Sequence, residues 1–183
     1  LGPGEPFYMT QQAANTLESV DAICGYKVYL DLIREEFPCE EYYSTGMTQE
    51  IDRCRWALEK ASTGKRVALV CSGDAGVYGM ASPLLELAAQ ETPQDARCAH
   101  YLGREYLYRG MFQKAAEELK RHLTLPSAVW DEERAASMRY LSACMYALGD
   151  ERSAMCWAMR AIAEVPEQRE NWYEAEKAAH RAE

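Results

Sequence analysis

The chain has 183 residues, 48% of them hydrophobic and 27% charged, with a formal net charge of −9. That balance describes a globular protein of one large or two small domains and excludes an intrinsically disordered or membrane-spanning chain. Residues 1–91 carry 7 Lys/Arg against 14 Asp/Glu and residues 92–183 carry 13 against 15, so neither half offers the basic field of a nucleic-acid or anionic-membrane binder.

No apolar run approaches the roughly 20 residues that cross a bilayer. Leu1-Gly2-Pro3-Gly4-Glu5-Pro6 has neither the basic nor the apolar region of a secretory signal. A cytoplasmic location is the expectation. The seven cysteines (Cys24, Cys39, Cys54, Cys71, Cys98, Cys144, Cys156) are odd in number and scattered, as reduced thiols are. No Cys-x-x-Cys pair occurs, and His100, His122 and His180 do not join the cysteines at zinc-ligand spacing, so no metal is expected.

In chain order, a Gly2-Pro3-Gly4 turn precedes a helix over Thr10–Ser19 with Thr10 as its cap. Val20–Gly25 reads as a strand, Val28–Glu36 as a helix stopped before Pro38, and Tyr42–Gly46 as a weaker strand. Thr48–Ala61 reads as a helix with Ile51, Cys54, Arg55 and Leu58 along one face. Arg66–Ser72, apolar and rich in Val, is the strongest strand signal and predicts burial on both faces. The glycine-rich turn Ser72–Gly79 then leads into a helix over Met80–Ala89. Strand and helix alternating in this way predict right-handed parallel crossovers.

In such sheets the loop beyond a strand's carboxyl end is where ligands bind. Glycines in Ser72–Gly79 admit close backbone approach, and Asp74 can accept hydrogen bonds from hydroxyl or amine groups. A small-molecule site and a purely structural tight turn both remain open on these residues alone. Lys27, Arg53, Arg55, Lys65 and Arg66 are the cations available to an acidic ligand, with surface solubility the alternative role for most of them.

The pattern changes at Thr92-Pro93-Gln94-Asp95. Residues 95–183 hold no strand signal. Leu102, Gly103, Gly110 and Ala115 are repeated 39 residues later as Leu141, Ser142, Gly149 and Ala154. Each unit reads as helix, turn at the glycine, and second helix, closed by Pro126 or Pro166. A third helix is expected over Glu170–Ala182. Tyr101, Tyr106, Tyr108, Tyr140 and Trp157 are read as core aromatics rather than a recognition surface. Arg104, Arg109, Arg139 and Arg160 are read as part of a mixed-charge solvated face rather than an acidic-peptide site.

Gly25–Leu30, Ser44–Glu50 and Gly64–Ala81, in that order, resemble the tetrapyrrole methyltransferase family, in particular its cobalamin-biosynthesis branch that methylates precorrin-3B at ring carbon 17. The resemblance covers roughly residues 1–90. It implies binding of S-adenosylmethionine through Gly2, Pro3, Gly4, Ser72, Gly73, Asp74, Ala75, Gly76, Val77 and Tyr78, and a tetrapyrrole substrate; no catalytic residue is assigned. The family's usual Gly-Asp-Pro-Gly reads Gly73-Asp74-Ala75-Gly76 here. The strand that usually precedes Gly-Pro-Gly is reduced to Leu1, and the family's later strands do not follow Gln90. The second half resembles tetratricopeptide repeats, which implies a peptide or protein partner.

The expected fold class is therefore α/β followed by all-α: residues 1–91 as a partial parallel-sheet segment of the methyltransferase kind, and residues 95–183 as helical hairpins of the repeat kind. The expected function is that of a precorrin-type methyltransferase, read as a fragment or fusion. A protein-interaction module carrying a non-catalytic α/β segment is the alternative. Exposed strand edges also point to homo-oligomer formation.

Overall fold

The computed structural model of the chain describes residues 8–72 and 79–180. Two compact units meet in sequence between Leu87 and Ala88.

The first unit is built on three parallel strands, β1 (Ala22–Tyr26), β2 (Glu41–Thr45) and β3 (Val67–Val70), in the order β2-β1-β3. Ala22 pairs with Glu41 on one side and with Val67 on the other. Helices α1 (Gln11–Ser19), α2 (Lys27–Ile33), α3 (Glu50–Ser62) and α4 (Ala81–Glu91) alternate with them, α4 running across the division between the units. Thr10 caps α1 as expected, its Oγ1 accepting the Ala13 N–H at 3.2 Å.

The order of the strands corrects one expectation. Arg66–Ser72 is not the doubly buried strand: β3 is shorter, has a neighbour on one side only among the described residues, and buries Val70 alone. The central strand is β1, whose Ala22, Ile23 and Cys24 are fully enclosed. Small residues permit this. A Cβ at Gly25 would lie 2.5 Å from Val70 Cγ2 and 2.9 Å from the Val70 carbonyl, so the β1–β3 approach requires glycine. Leu17, Ile23, Leu30, Ile33, Phe37 and Val70 form the core of the unit, and each contributes on the order of 1.5–3 kcal/mol by burial.

Helix α3 corrects a second expectation. It buries Arg53, Cys54 and Ala57, whereas Ile51 and Arg55 face solvent. The expected face leaves out Arg53. Instead its guanidinium finds partners inside the fold, so the helix turns that side inward.

The second unit is all-helical: α5 (Ala96–Tyr108), α6 (Phe112–Thr124), α7 (Asp131–Ala147), α8 (Glu151–Glu164) and α9 (Arg169–Ala179). Each helix packs on the next, and α7 also meets α5 and α9. The two expected glycine turns close alike. Gly110 and Gly149 adopt φ of 72° and 83°, and the amides after them bond back to Tyr106 and Met145 at 2.8 and 2.9 Å. This is the left-handed closure that ends many helices. At the other matched pair, a Cβ on Gly103 would lie 2.7 Å from Leu119 Cγ, while Ser142 donates to the Ala154 carbonyl at 2.8 Å.

The aromatic expectation holds in part. Tyr106 is buried and Tyr101, Tyr140 and Trp157 are half-buried, but Tyr108 is 72% exposed. Helices α5, α6 and α7 also enclose two histidines. The rings of His100 and His122 lie 5.3 Å apart, with His100 Nδ1 2.7 Å from the Ser137 hydroxyl. Neither nitrogen of His122 has a hydrogen-bond partner among the described residues. Glu133 Oε1 approaches its Nε2 at 3.4 Å without hydrogen-bond geometry.

Candidate functional site

Parallel strands place their carboxyl ends on one side, and here Tyr26, Thr45 and Val70 end together there. A cleft of about 240 Å³ opens at that edge. Tyr26 and Tyr29 come from the β1–α2 junction, Met47 from the turn after β2, and Glu50 and Arg53 from α3. Val70, Cys71 and Ser72 come from the end of β3, and Gly79, Met80 and Pro83 from the start of α4. Ligand pockets commonly span about 300–1,000 Å³, so this cleft suits one portion of a larger ligand.

Its walls are mixed. Tyr26 and Tyr29 meet edge to face, with ring centroids 5.7 Å apart. The Tyr29 hydroxyl lies 2.9 Å from that of Ser72. Met47, Val70, Met80 and Pro83 supply apolar surface, and Glu50 supplies a carboxylate. Apolar walls with a few convergent hydroxyl and carboxylate groups suit a ligand combining a flat ring with amine or hydroxyl groups.

Arg53 is the buried cation of this edge, 5% exposed. Its Nη1 donates to Thr45 Oγ1 at 2.5 Å and to the Gly46 carbonyl at 2.9 Å, and its Nη2 donates to Glu50 Oε1 at 3.2 Å. Between these anchors Thr48 takes φ of 67°. For a β-branched residue that left-handed conformation costs on the order of 1–3 kcal/mol and persists only where its surroundings impose it. Here the Gln49 side chain accepts the Gly46 N–H at 3.0 Å, and the Gln49 carbonyl accepts both the Arg53 N–H at 3.3 Å and the Thr45 hydroxyl at 3.4 Å.

The other expected cations lie elsewhere. Lys65 binds Glu41 at 3.1 Å and Arg66 approaches Asp21 at 3.9 Å, both at the amino ends of the strands. Arg55 pairs with Asp52 in solvent, and Lys27 is exposed. Lys65 and Arg66 are removed from the carboxyl edge by their place in the chain, whereas Lys27 and Arg55 follow residues of that edge but face solvent.

Of the ten positions expected to hold a cofactor, Ser72 lines the cleft. Gly2, Pro3, Gly4, Gly73, Asp74, Ala75, Gly76, Val77 and Tyr78 lie outside the described residues. Sequence reading missed Tyr26, Tyr29, Met47 and Glu50 as lining residues, although all four sit inside the motifs that carried the resemblance. Spacing offered one usable signal: Thr45, Glu50 and Arg53 bracket a glycine-containing turn at the mouth of a strand.

Thiol chemistry is not offered by the buried cysteines. Burial pushes Cys24 up to about 12 and Cys54 up to about 11, leaving both protonated. No disulfide joins the seven cysteines, and among the described residues no three metal-binding side chains cluster. No helix among them is long and apolar enough to cross a membrane.

Residues 1–97 match the family model of the tetrapyrrole (corrin/porphyrin) methylases. The chain is 42% identical over 91 residues to a probable cobalt-factor III C(17)-methyltransferase of Salmonella typhimurium, covering 50% of this chain and 38% of that protein. It is 42% identical over 91 residues to the cobalt-factor III methyltransferase of Priestia megaterium, covering 50% of this chain and 17% of that one. It is also 44% identical over 89 residues to a probable cobalt-factor III C(17)-methyltransferase of Methanocaldococcus jannaschii, covering 49% and 34%. The chain thus spans well under half the length of these relatives.

Proposed function

The chain belongs to the tetrapyrrole (corrin/porphyrin) methylases, and on that premise we propose that its α/β half serves S-adenosylmethionine-dependent methylation of a cobalt-factor III-like tetrapyrrole. Support comes from homology over the amino-terminal half to cobalamin-biosynthesis methyltransferases. The observation that carries the reading is a cleft of ring-like and hydroxyl-bearing walls at the carboxyl ends of three parallel strands. Ser72 is proposed to reach the cofactor together with Gly2-Pro3-Gly4 and residues 73–78.

Bound S-adenosylmethionine would supply an electrophilic methyl group, passed to a ring carbon with S-adenosylhomocysteine as the other product. Such a transfer asks the protein chiefly for alignment. Tyr26, Tyr29 and Met47 offer flat and apolar surface against a macrocycle, and the Tyr29–Ser72 hydroxyl pair offers hydrogen bonds at the cleft wall. Incubation of the chain with methyl-labelled S-adenosylmethionine and cobalt-factor III tests the proposal. Label in the tetrapyrrole supports it; absence of transfer together with absence of binding of both ligands refutes it.

A second reading concerns the helical unit alone. The matched left-handed closures at Gly110 and Gly149, 39 residues apart, favour a tetratricopeptide-like pair of hairpins that binds a protein partner. Peptide-array binding lost on substituting α5 and α7 surface residues would support it. Binding indifferent to those residues would count against it.

A further inference from the structure

Met47 is 73% exposed at the cleft, yet the turn that carries it holds a conformation its own sequence disfavours. A threonine left to itself leaves φ near +67°, so something outside residues 46–48 holds it there. The geometry supplies that agent. One buried guanidinium reaches the hydroxyl of Thr45, the carbonyl of Gly46 and the carboxylate of Glu50, bracketing the turn on both sides. Planar and fixed in its donor directions, a guanidinium can hold three such acceptors at once, which a lysine ammonium on a flexible stem does less well.

Resting on the proposed function, we propose that Arg53 is a positioning residue: it locks the Gly46–Gln49 turn and so fixes Met47 and Glu50 as one wall of the tetrapyrrole cleft. The guanidinium acts through the turn, because three of its donor contacts already go to protein atoms. Binding depends on it because a displaced turn carries Met47 and Glu50 out of the cleft wall.

The test compares the full chain with Arg53→Met, Thr48→Gly and the double variant, with folding checked by circular dichroism. Two readouts are used: affinity for cobalt-factor III, and the methyl signal of Met47 in methionine-labelled protein. Arg53→Met is expected to shift or broaden the Met47 signal and to weaken binding at least about tenfold. Adding Thr48→Gly is expected to recover most of both, because glycine holds positive φ without a clamp. A folded Arg53→Met with an unchanged Met47 signal and affinity overturns the proposal. So does a double variant that recovers neither, since Arg53 would then act directly on the ligand.

Where Arg53→Met does not fold, Thr48→Gly alone decides: affinity within about threefold of the unaltered chain supports a turn held from outside, and a tenfold loss overturns it. Failure of the unaltered chain to bind cobalt-factor III overturns the ligand role together with the proposed function, while the Met47 signal still judges the clamp.

Discussion

The hydroxyls of Tyr29 and Ser72 meet at 2.9 Å, tying α2 to the residue that leaves β3 at the carboxyl edge of the sheet. Because the pair is open to solvent, water competes for it, and its net contribution to stability is at most about 1 kcal/mol. Its position at the cleft gives it more weight in binding. Tyr29→Phe should therefore leave the urea midpoint nearly unchanged while weakening cobalt-factor III binding several-fold. Equal losses in stability and binding would mean that the pair only braces the fold.

Gly25 gives a sharper stability test. Any Cβ there meets Val70 on both its side chain and its carbonyl. Gly25→Ala should destabilise the α/β unit by roughly 1–3 kcal/mol through overpacking, read as a lowered urea midpoint. An unchanged midpoint would mean that β1 and β3 can separate at little cost.

Much of this half was legible because strands and helices announce themselves by different periods. Val67–Val70 falls inside its predicted strand, Ala22–Tyr26 overruns the predicted Val20–Gly25 by one residue, and Thr10 caps where predicted. The strand order was not legible. Arg66–Ser72 is the more apolar run, yet β1 is the strand with a neighbour on each side, and apolar content does not set strand order. The inward face of α3 differs because the choice between Arg53 and Arg55 is made by partners outside the helix, and those of Arg53 come from the preceding strand and turn. Ser72, at the start of the loop expected to hold a cofactor, lines the cleft. The cleft's tyrosines and Met47 could not be named beforehand, because lining a cleft depends on how three strand ends converge.

In the helical unit, Gly103 is a residue whose helix propensity and packing conflict. Alanine at a helical glycine normally gains about 1 kcal/mol, but here its Cβ would enter Leu119. Gly103→Ala should lower the unit's thermal midpoint despite the better propensity. A raised midpoint would show that α6 can shift away freely.

Burial drives His100 down to about 3 and His122 down to about 4, against an ordinary value near 6.5, because a charged ring would lose its hydration there. Their mutual repulsion, for His100, and neighbouring arginines, Arg134 in the case of His122, add to the effect. In this window the unfolded chain binds more protons than the folded one, so stability is full above about pH 6.5 and falls as the pH drops towards 4. For His122 alone the loss at pH 5 is on the order of 2 kcal/mol. His122→Leu should flatten the decline between pH 6.5 and 4.5 in urea titrations. A variant as acid-sensitive as the parent would place the charge uptake elsewhere.

The central claim is that the α/β half binds the methyl donor at the carboxyl edge of its sheet. Calorimetric titration of the full chain with S-adenosylmethionine tests it most directly. The account predicts saturable binding with one site per chain, weakened when Asp74 and Ser72 are both replaced by alanine. No binding heat at millimolar ligand, or binding indifferent to those two residues, would contradict it.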